Sequence, residues 1–126
     1  KAQAVIANSG NANACTGEQG AKVARKMASL AADVLGINSG DVIVYSTGVI
    51  GKQLPVEKIE KNIQSLKDGL SKEGHKEART AIMTTDTHYK ECAVQTVIGG
   101  KTVRIGAMAK GSGMCSSSVE CFQKNG

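Results

Sequence analysis

Four islands of small residues hold the groups of this chain best suited to chemistry. They are Asn8-Ser9-Gly10-Asn11-Ala12-Asn13, Ser46-Thr47-Gly48-Val49-Ile50-Gly51, Thr84-Thr85-Asp86-Thr87 and Lys110-Gly111-Ser112-Gly113-Met114. Glycine removes the Cβ that keeps a ligand off the main chain, and Ser, Thr and Asn set hydroxyl and amide groups close beside it. Such segments can bind a polar small molecule. They do not form a phosphate loop: neither the GEQGAK nor the GSG segment fits G-x-x-x-x-G-K-[ST], and no G-x-G-x-x-G follows a strand pattern. Nor do His75 and His88 suggest a metal site. The first lies in a charged stretch, the second sits before a strand pattern that contains Cys92, and no His/Cys spacing supports ligation.

Elements that can position these islands are legible between them. Gln3 to Ala7 reads as a buried strand. Thr16-Gly17-Glu18-Gln19 reads as a capping box, with the Thr16 hydroxyl accepting from the Gln19 N–H, ahead of a helix over Glu18 to Leu35 that Gly36 stops. Ala24, Met27, Ala28, Ala31, Val34 and Leu35 give that helix a mostly Ala face that can sit close to a sheet. Asp41 to Tyr45 is the next strand, and Pro55 opens a second helix with an apolar stripe of Val56, Ile59, Ile63, Leu66 and Leu70. A short helical turn is expected around Lys76 to Arg79. Thereafter the period becomes two: Glu91 to Ile98 and Lys101 to Ala109 flank Gly99-Gly100, a pair suited to a two-residue hairpin turn. The order strand, helix, strand, helix, hairpin predicts one α/β unit over 1–126, with helices layered on a mixed sheet and the polar islands at strand ends.

Composition narrows the function classes. At 126 residues and 40% hydrophobic content the chain can bury one modest core, and with one Phe, two Tyr and no Trp that core must be aliphatic. Sixteen basic against eleven acidic side chains give +5, but the lysines are scattered along helical faces with little aromatic surface for base stacking, so nucleic-acid binding is not expected. Cys15, Cys92, Cys115 and Cys121 form no C-x-x-C pair and are too sparse for a disulfide scaffold, which fits a reducing, cytoplasmic setting. No stretch has the apolar length of a membrane span and no signal peptide is expected. The chain enters a strand pattern immediately after Lys1, so its start reads as a cut inside a larger protein.

Taken together, the strings ANSGNANACTGEQG, YSTGVIGKQLP, AIMTTDTHYKE and IGAMAKGSGM resemble the ornithine acetyltransferase family, also called bifunctional glutamate N-acetyltransferase. The similarity runs from Lys1 to about Met114, in the family's order. What it implies is an acyltransferase of arginine biosynthesis, cytoplasmic and without metal or organic cofactor. Such an enzyme moves an acetyl group from N-acetylornithine to glutamate through an acetyl-enzyme, and some members also accept acetyl-CoA. A family precursor cleaves itself into α and β chains, and the new N-terminal Thr of β is the nucleophile. The implied fold is a layered α-β-β-α arrangement, of which this chain is an α-chain segment that awaits a complementary β chain.

By motif, Thr47 and Gly48 match the family's oxyanion hole, where a hydroxyl and a backbone N–H face the oxygen that becomes negative in the tetrahedral intermediate. The plain alternative is a strand-ending turn that merely needs glycine. Thr84 matches a substrate-binding Thr, against the alternative of a cap or turn residue. Lys110 matches a substrate-binding Lys that can pair with a carboxylate, against that of a solvated surface lysine. The resemblance stops after Met114, where the chain reads Cys115-Ser116-Ser117-Ser118-Val119-Glu120-Cys121. Counting without a gap sets Cys121 at the position of the nucleophilic Thr, and a thiol can carry an acyl group. The expectation is a segment that supplies the oxyanion hole and part of the substrate site and is inactive alone. The alternative is a non-catalytic binding or interaction module that keeps the fold without the nucleophile.

Overall fold

The computed structural model describes residues 1–111, so Cys115 and Cys121 lie outside the described residues. Its elements run β1 (Ala4–Asn8), α1 (Gly17–Leu35), β2 (Val42–Ser46), α2 (Val56–Asp68), α3 (His75–Ile82), β3 (Lys90–Ile98) and β4 (Lys101–Ala109). Contacts gather in two units, Lys1–Lys76 and Glu77–Gly126. The class is α/β with parallel and antiparallel pairing both present, but the described strands form two separate two-stranded sheets rather than one mixed sheet.

In the first unit, β1 and β2 pair in parallel from Ala4 opposite Val42 to Asn8 opposite Ser46, joined through α1. Side chains alternate along a strand, so Ile6 points into the core while Val5 stands 66% exposed on the other face. The core comprises Ile6, Val23, Met27, Ala31 and Leu54, with Val42, Val44, Val56, Ile59 and Ile63 packed against it. Met27 is fully buried, and burying an aliphatic side chain of that size stabilises a fold by roughly 1.5–3 kcal/mol. The buried face of α1 is Gly20, Val23, Met27, Ala31 and Ala32, which rotates the predicted stripe so that Ala24, Ala28, Val34 and Leu35 are only half-buried.

The start and end of α1 differ in how they match expectation. Gly36 ends the helix in the left-handed conformation, and the Ile37 N–H reaches the Ala32 carbonyl at 3.1 Å, as a Schellman-type stop requires. At the other end no capping box forms. Thr16 is the N-cap, but its Oγ1 lies 2.9 Å from Asn13 Oδ1 and 3.2 Å from the Asn13 carbonyl, so the hydroxyl is spent on the preceding loop. The stripe of α2 also ends early: Val56, Ile59 and Ile63 meet the core, whereas Leu66 and Leu70 are 57% and 67% exposed.

In the second unit, β3 and β4 form an antiparallel hairpin in register from Ile98 opposite Lys101 to Lys90 opposite Ala109. Gly99 and Gly100 both take positive φ, 56° and 75°, matching the demand of a two-residue turn whose twist suits the strands. Little of the hairpin is buried. Val94, Val97, Ile98 and Ile105 are all more than half exposed.

Candidate functional site

Two clusters hold the residues singled out in the sequence, one in each unit. In the first unit, β2 ends at Ser46 and the chain turns through Thr47 and Gly48 against the loop that leaves β1. The Thr47 N–H donates to the Asn8 carbonyl at 3.1 Å, the Val49 N–H to Gly10 at 3.0 Å, and the Ala12 N–H returns to Val49 at 2.9 Å. These bonds lace the Asn8–Asn13 and Ser46–Gly51 islands together; the Gly48 N–H is not among them. Gly48 has φ of 131°, and a Cβ there would lie 2.3 Å from the Gly10 carbonyl carbon and 2.5 Å from its oxygen. Only glycine permits this crossing of two backbones.

Side chains at the same strand ends are unevenly satisfied. Asn8 Nδ2 donates to the Asn11 carbonyl at 2.9 Å, and Asn11 Nδ2 reaches toward the Lys52 and Gln53 carbonyls. Asn8 Oδ1 and Ser46 Oγ, on register partners of the parallel pair, are buried without a hydrogen-bond partner among the described residues. Thr47 is half-buried and Gly48 exposed, so the turn itself faces solvent. An exposed turn with a hydroxyl and an N–H on a laced loop can donate to a carbonyl or carboxylate oxygen.

In the second unit, the hairpin register sets the geometry. Because Lys90 opens β3 opposite Ala109 at the end of β4, the next residues, Lys110 and Gly111, arrive beside the loop that precedes β3. Lys110 Nζ donates to Thr84 Oγ1 at 2.9 Å, so the two substrate-site candidates meet in space across 26 positions of sequence. Asp86 lies beneath them with its side chain only 1% exposed. Its Oδ1 accepts from the Gly111 N–H at 2.6 Å and from Lys90 Nζ at 3.0 Å, and its Oδ2 accepts from the Thr84 N–H at 3.3 Å. The Gly111 amide bond, then the Lys90 bond, hold the Asp86 carboxyl well below the usual carboxylate range.

Asp86 is the residue that sequence reasoning missed. Its signal was present: a short acidic side chain within a Thr-rich string between a helix and a hairpin, where Asp commonly bonds nearby backbone N–H groups. Close by, Arg79 of α3 ion-pairs with Glu91 of β3 and stacks 4.2 Å from the centre of the Tyr89 ring. That contact fixes the helix against the start of the hairpin. Cys15 and Cys92 are free and exposed, and Cys92 borders a shallow groove of about 140 Å³ with Tyr89 and Met108. Among the described residues no three His, Cys, Asp or Glu side chains gather as a metal site, and no helix is long and apolar enough to cross a membrane. Cys121, the positional match to a nucleophile, lies outside the described residues.

A parallel pair and a hairpin, each presenting a polar loop of small residues, define an α/β chain. Residues 1–121 match the model of the ArgJ family, and the chain belongs to that family. Arginine biosynthesis bifunctional protein ArgJ of Symbiobacterium thermophilum is 58% identical over 112 residues, which is 89% of this chain and 28% of that protein. The protein of the same name from Caldanaerobacter subterraneus is 54% identical over 114 residues, 90% of this chain and again 28% of the relative. Thus the chain spans little more than a quarter of the length of these relatives. Among solved structures, ArgJ of Bacillus halodurans superposes with a TM-score of 0.79 at 43% identity, covering 88% of this chain and 58% of the other. Ornithine acetyltransferase of Mycobacterium tuberculosis, solved in complex with ornithine, superposes with a TM-score of 0.81 at 36% identity, covering 89% of this chain and 60% of the other.

Proposed function

We propose that this chain is part of an acetyltransferase of arginine biosynthesis, one that moves an acetyl group from N-acetylornithine to glutamate through an acetyl-enzyme. The observation that carries the reading is the Lys110 Nζ to Thr84 Oγ1 contact of 2.9 Å in a chain of the ArgJ family. An ammonium beside a hydroxyl suits the carboxylate end of an amino acid: the charge attracts it and the hydroxyl adds a directional hydrogen bond. Ornithine in the Mycobacterium tuberculosis relative supports an amino-acid ligand for this chain as well.

Thr47 and Gly48 serve the other half of the reaction. When a nucleophile attacks the acetyl carbonyl, the oxygen gains negative charge, and the Thr47 hydroxyl with the Gly48 N–H stabilises it. Removing one donor from such a pair slows acyl transfer by roughly 10²–10³-fold. The lacing to Asn8 and Gly10 holds the turn in place before the charge develops, so little reorganisation is needed at that moment. The acyl-carrying nucleophile and the rest of the pocket belong to a complementary β chain, and this chain alone transfers no acetyl group. Acetyl-CoA as a second donor to glutamate belongs to the same proposal.

The test is the intact mass of the 126-residue chain after incubation with N-acetylornithine, with and without glutamate. The reading predicts an unmodified chain and no N-acetylglutamate. An acetyl adduct mapped to Cys121 would overturn the assignment of the nucleophile to a second chain, and turnover by the chain alone would overturn the division of labour.

A further inference from the structure

Thr84 precedes β3 and Lys110 follows β4, Thr84 exposed and Lys110 half-buried, and neither sits within a helix or a strand. A long lysine side chain on such a segment loses considerable rotamer freedom when held in one place, so the pair needs a support. That support is Asp86. Its two oxygens accept from the Thr84 N–H and the Gly111 N–H, the amides of one member of the pair and of the residue following the other. The bonds therefore close a ring through Asp86, Gly111, Lys110 and Thr84.

We propose that Asp86 is a positioning residue: its buried carboxylate fixes the distance between the Thr84 hydroxyl and the Lys110 ammonium, while Lys90 balances its charge. This rests on the reading of Thr84 and Lys110 as a substrate pair. Asp86 does not touch the substrate. Asn at this position is close in size, but only its Oδ1 accepts while its Nδ2 donates, so at least one of the three donors faces another donor. Glu keeps the charge but adds a methylene, which displaces the carboxylate from the two amides. Lys90 supplies the opposite charge that a desolvated carboxylate needs, and its place is set by pairing with Ala109 in the hairpin register.

The experiment is NMR on the 126-residue chain, comparing wild type with Asp86→Asn and Asp86→Glu. Three signals are read: nuclear Overhauser contacts between the Lys110 side chain and the Thr84 methyl, hydrogen exchange of the Gly111 amide, and cross-strand contacts of the hairpin. Ornithine is then titrated into each protein. The expected result is loss of the Thr84 to Lys110 contacts and at least about tenfold faster Gly111 exchange in Asp86→Asn, with the cross-strand contacts kept. Ornithine affinity then falls about tenfold or more, the loss expected when a charge-assisted bond is misplaced.

Unchanged Thr84 to Lys110 contacts in Asp86→Asn would overturn the inference. Collapse of the cross-strand contacts in both variants would also overturn it, because the carboxylate would then be holding strands rather than the pair. Should wild type show no response to ornithine, the substrate reading fails, and the Thr84 to Lys110 contacts still decide the positioning role by themselves. An ornithine response in wild type that Asp86→Asn leaves intact fails the positioning role and spares the substrate reading.

Discussion

In the Lys1–Lys76 unit, Met27 is fully buried among Ile6, Val23, Ala31 and Leu54, and the Thr47-Gly48 turn hangs from strands that rest on this core. In the Glu77–Gly126 unit, the hairpin side chains Val94, Val97, Ile98 and Ile105 are largely exposed, and the Thr84 to Lys110 pair is held by a buried carboxylate at the open end of the strands. One loop is thus set by apolar packing and backbone lacing, the other by polar bonds to a single side chain. The difference matters because a two-stranded hairpin is at best marginally stable by itself. Its geometry depends on register and on a few charged bonds, so polar changes should act there and core changes should act in the other unit.

The largest expected effect is Met27→Ala. It leaves a cavity in the only described core cluster that contains a side chain buried this completely, and costs about 2–5 kcal/mol. Hydrogen exchange of the β1 and β2 amides should show it, while the Gly111 amide, read in the same experiment, keeps its protection. Equal loss in both units would erase the distinction between them.

Next in size, Gly48→Ala forces a methyl group into the Gly10 backbone and strains a φ of 131°, costing about 1–3 kcal/mol. Its signature is disrupted amide shifts at Asn8, Gly10 and Val49. A normal spectrum would show that the two loops do not cross as closely as 2.3 Å implies.

Acidification sharpens the contrast from the polar side. The folded Asp86 carboxyl titrates below its ordinary range, so its contribution is full above the unfolded value of about 4 and is lost as pH falls through the depressed folded value. The Gly111 amide should therefore stay protected at pH 4 and lose protection only at lower pH, whereas Asp86→Asn has no such step. A wild-type midpoint at the ordinary carboxylate value would contradict the network. The smallest effect is Lys26→Ala: the Lys26 to Glu60 pair between α1 and α2 is 2.7 Å long, but about half of each side chain is exposed. Its removal should change stability by about 0.5 kcal/mol or less, measured by thermal unfolding.

Much of this was legible in the residues. The Gly99-Gly100 pair announces its turn because both positions need positive φ, and Gly36 stops α1 for the same reason. Family resemblance singled out Thr84 and Lys110 one by one but not their pairing, since a separation of 26 positions leaves no local trace of a contact that depends on hairpin register. Thr16 misled because a hydroxyl at an N-cap has two outlets, and Asn13, at φ of 50°, offers the nearer one. Leu66 and Leu70 continue the helical period of α2 but run past the core of the first unit, so periodicity alone overstates the buried face. Asp86 was only partly legible for a different reason: two of its three donors, the Gly111 and Thr84 N–H groups, are backbone groups, and backbone donors carry no sequence signature.

The most direct test of the central claim is an ornithine titration of the wild-type chain followed by amide and side-chain NMR. The account predicts shifts concentrated at Thr84, Asp86, Lys110 and Gly111, abolished by Lys110→Ala with the hairpin contacts intact. Shifts confined to other residues, or a response that survives Lys110→Ala unchanged, would contradict it.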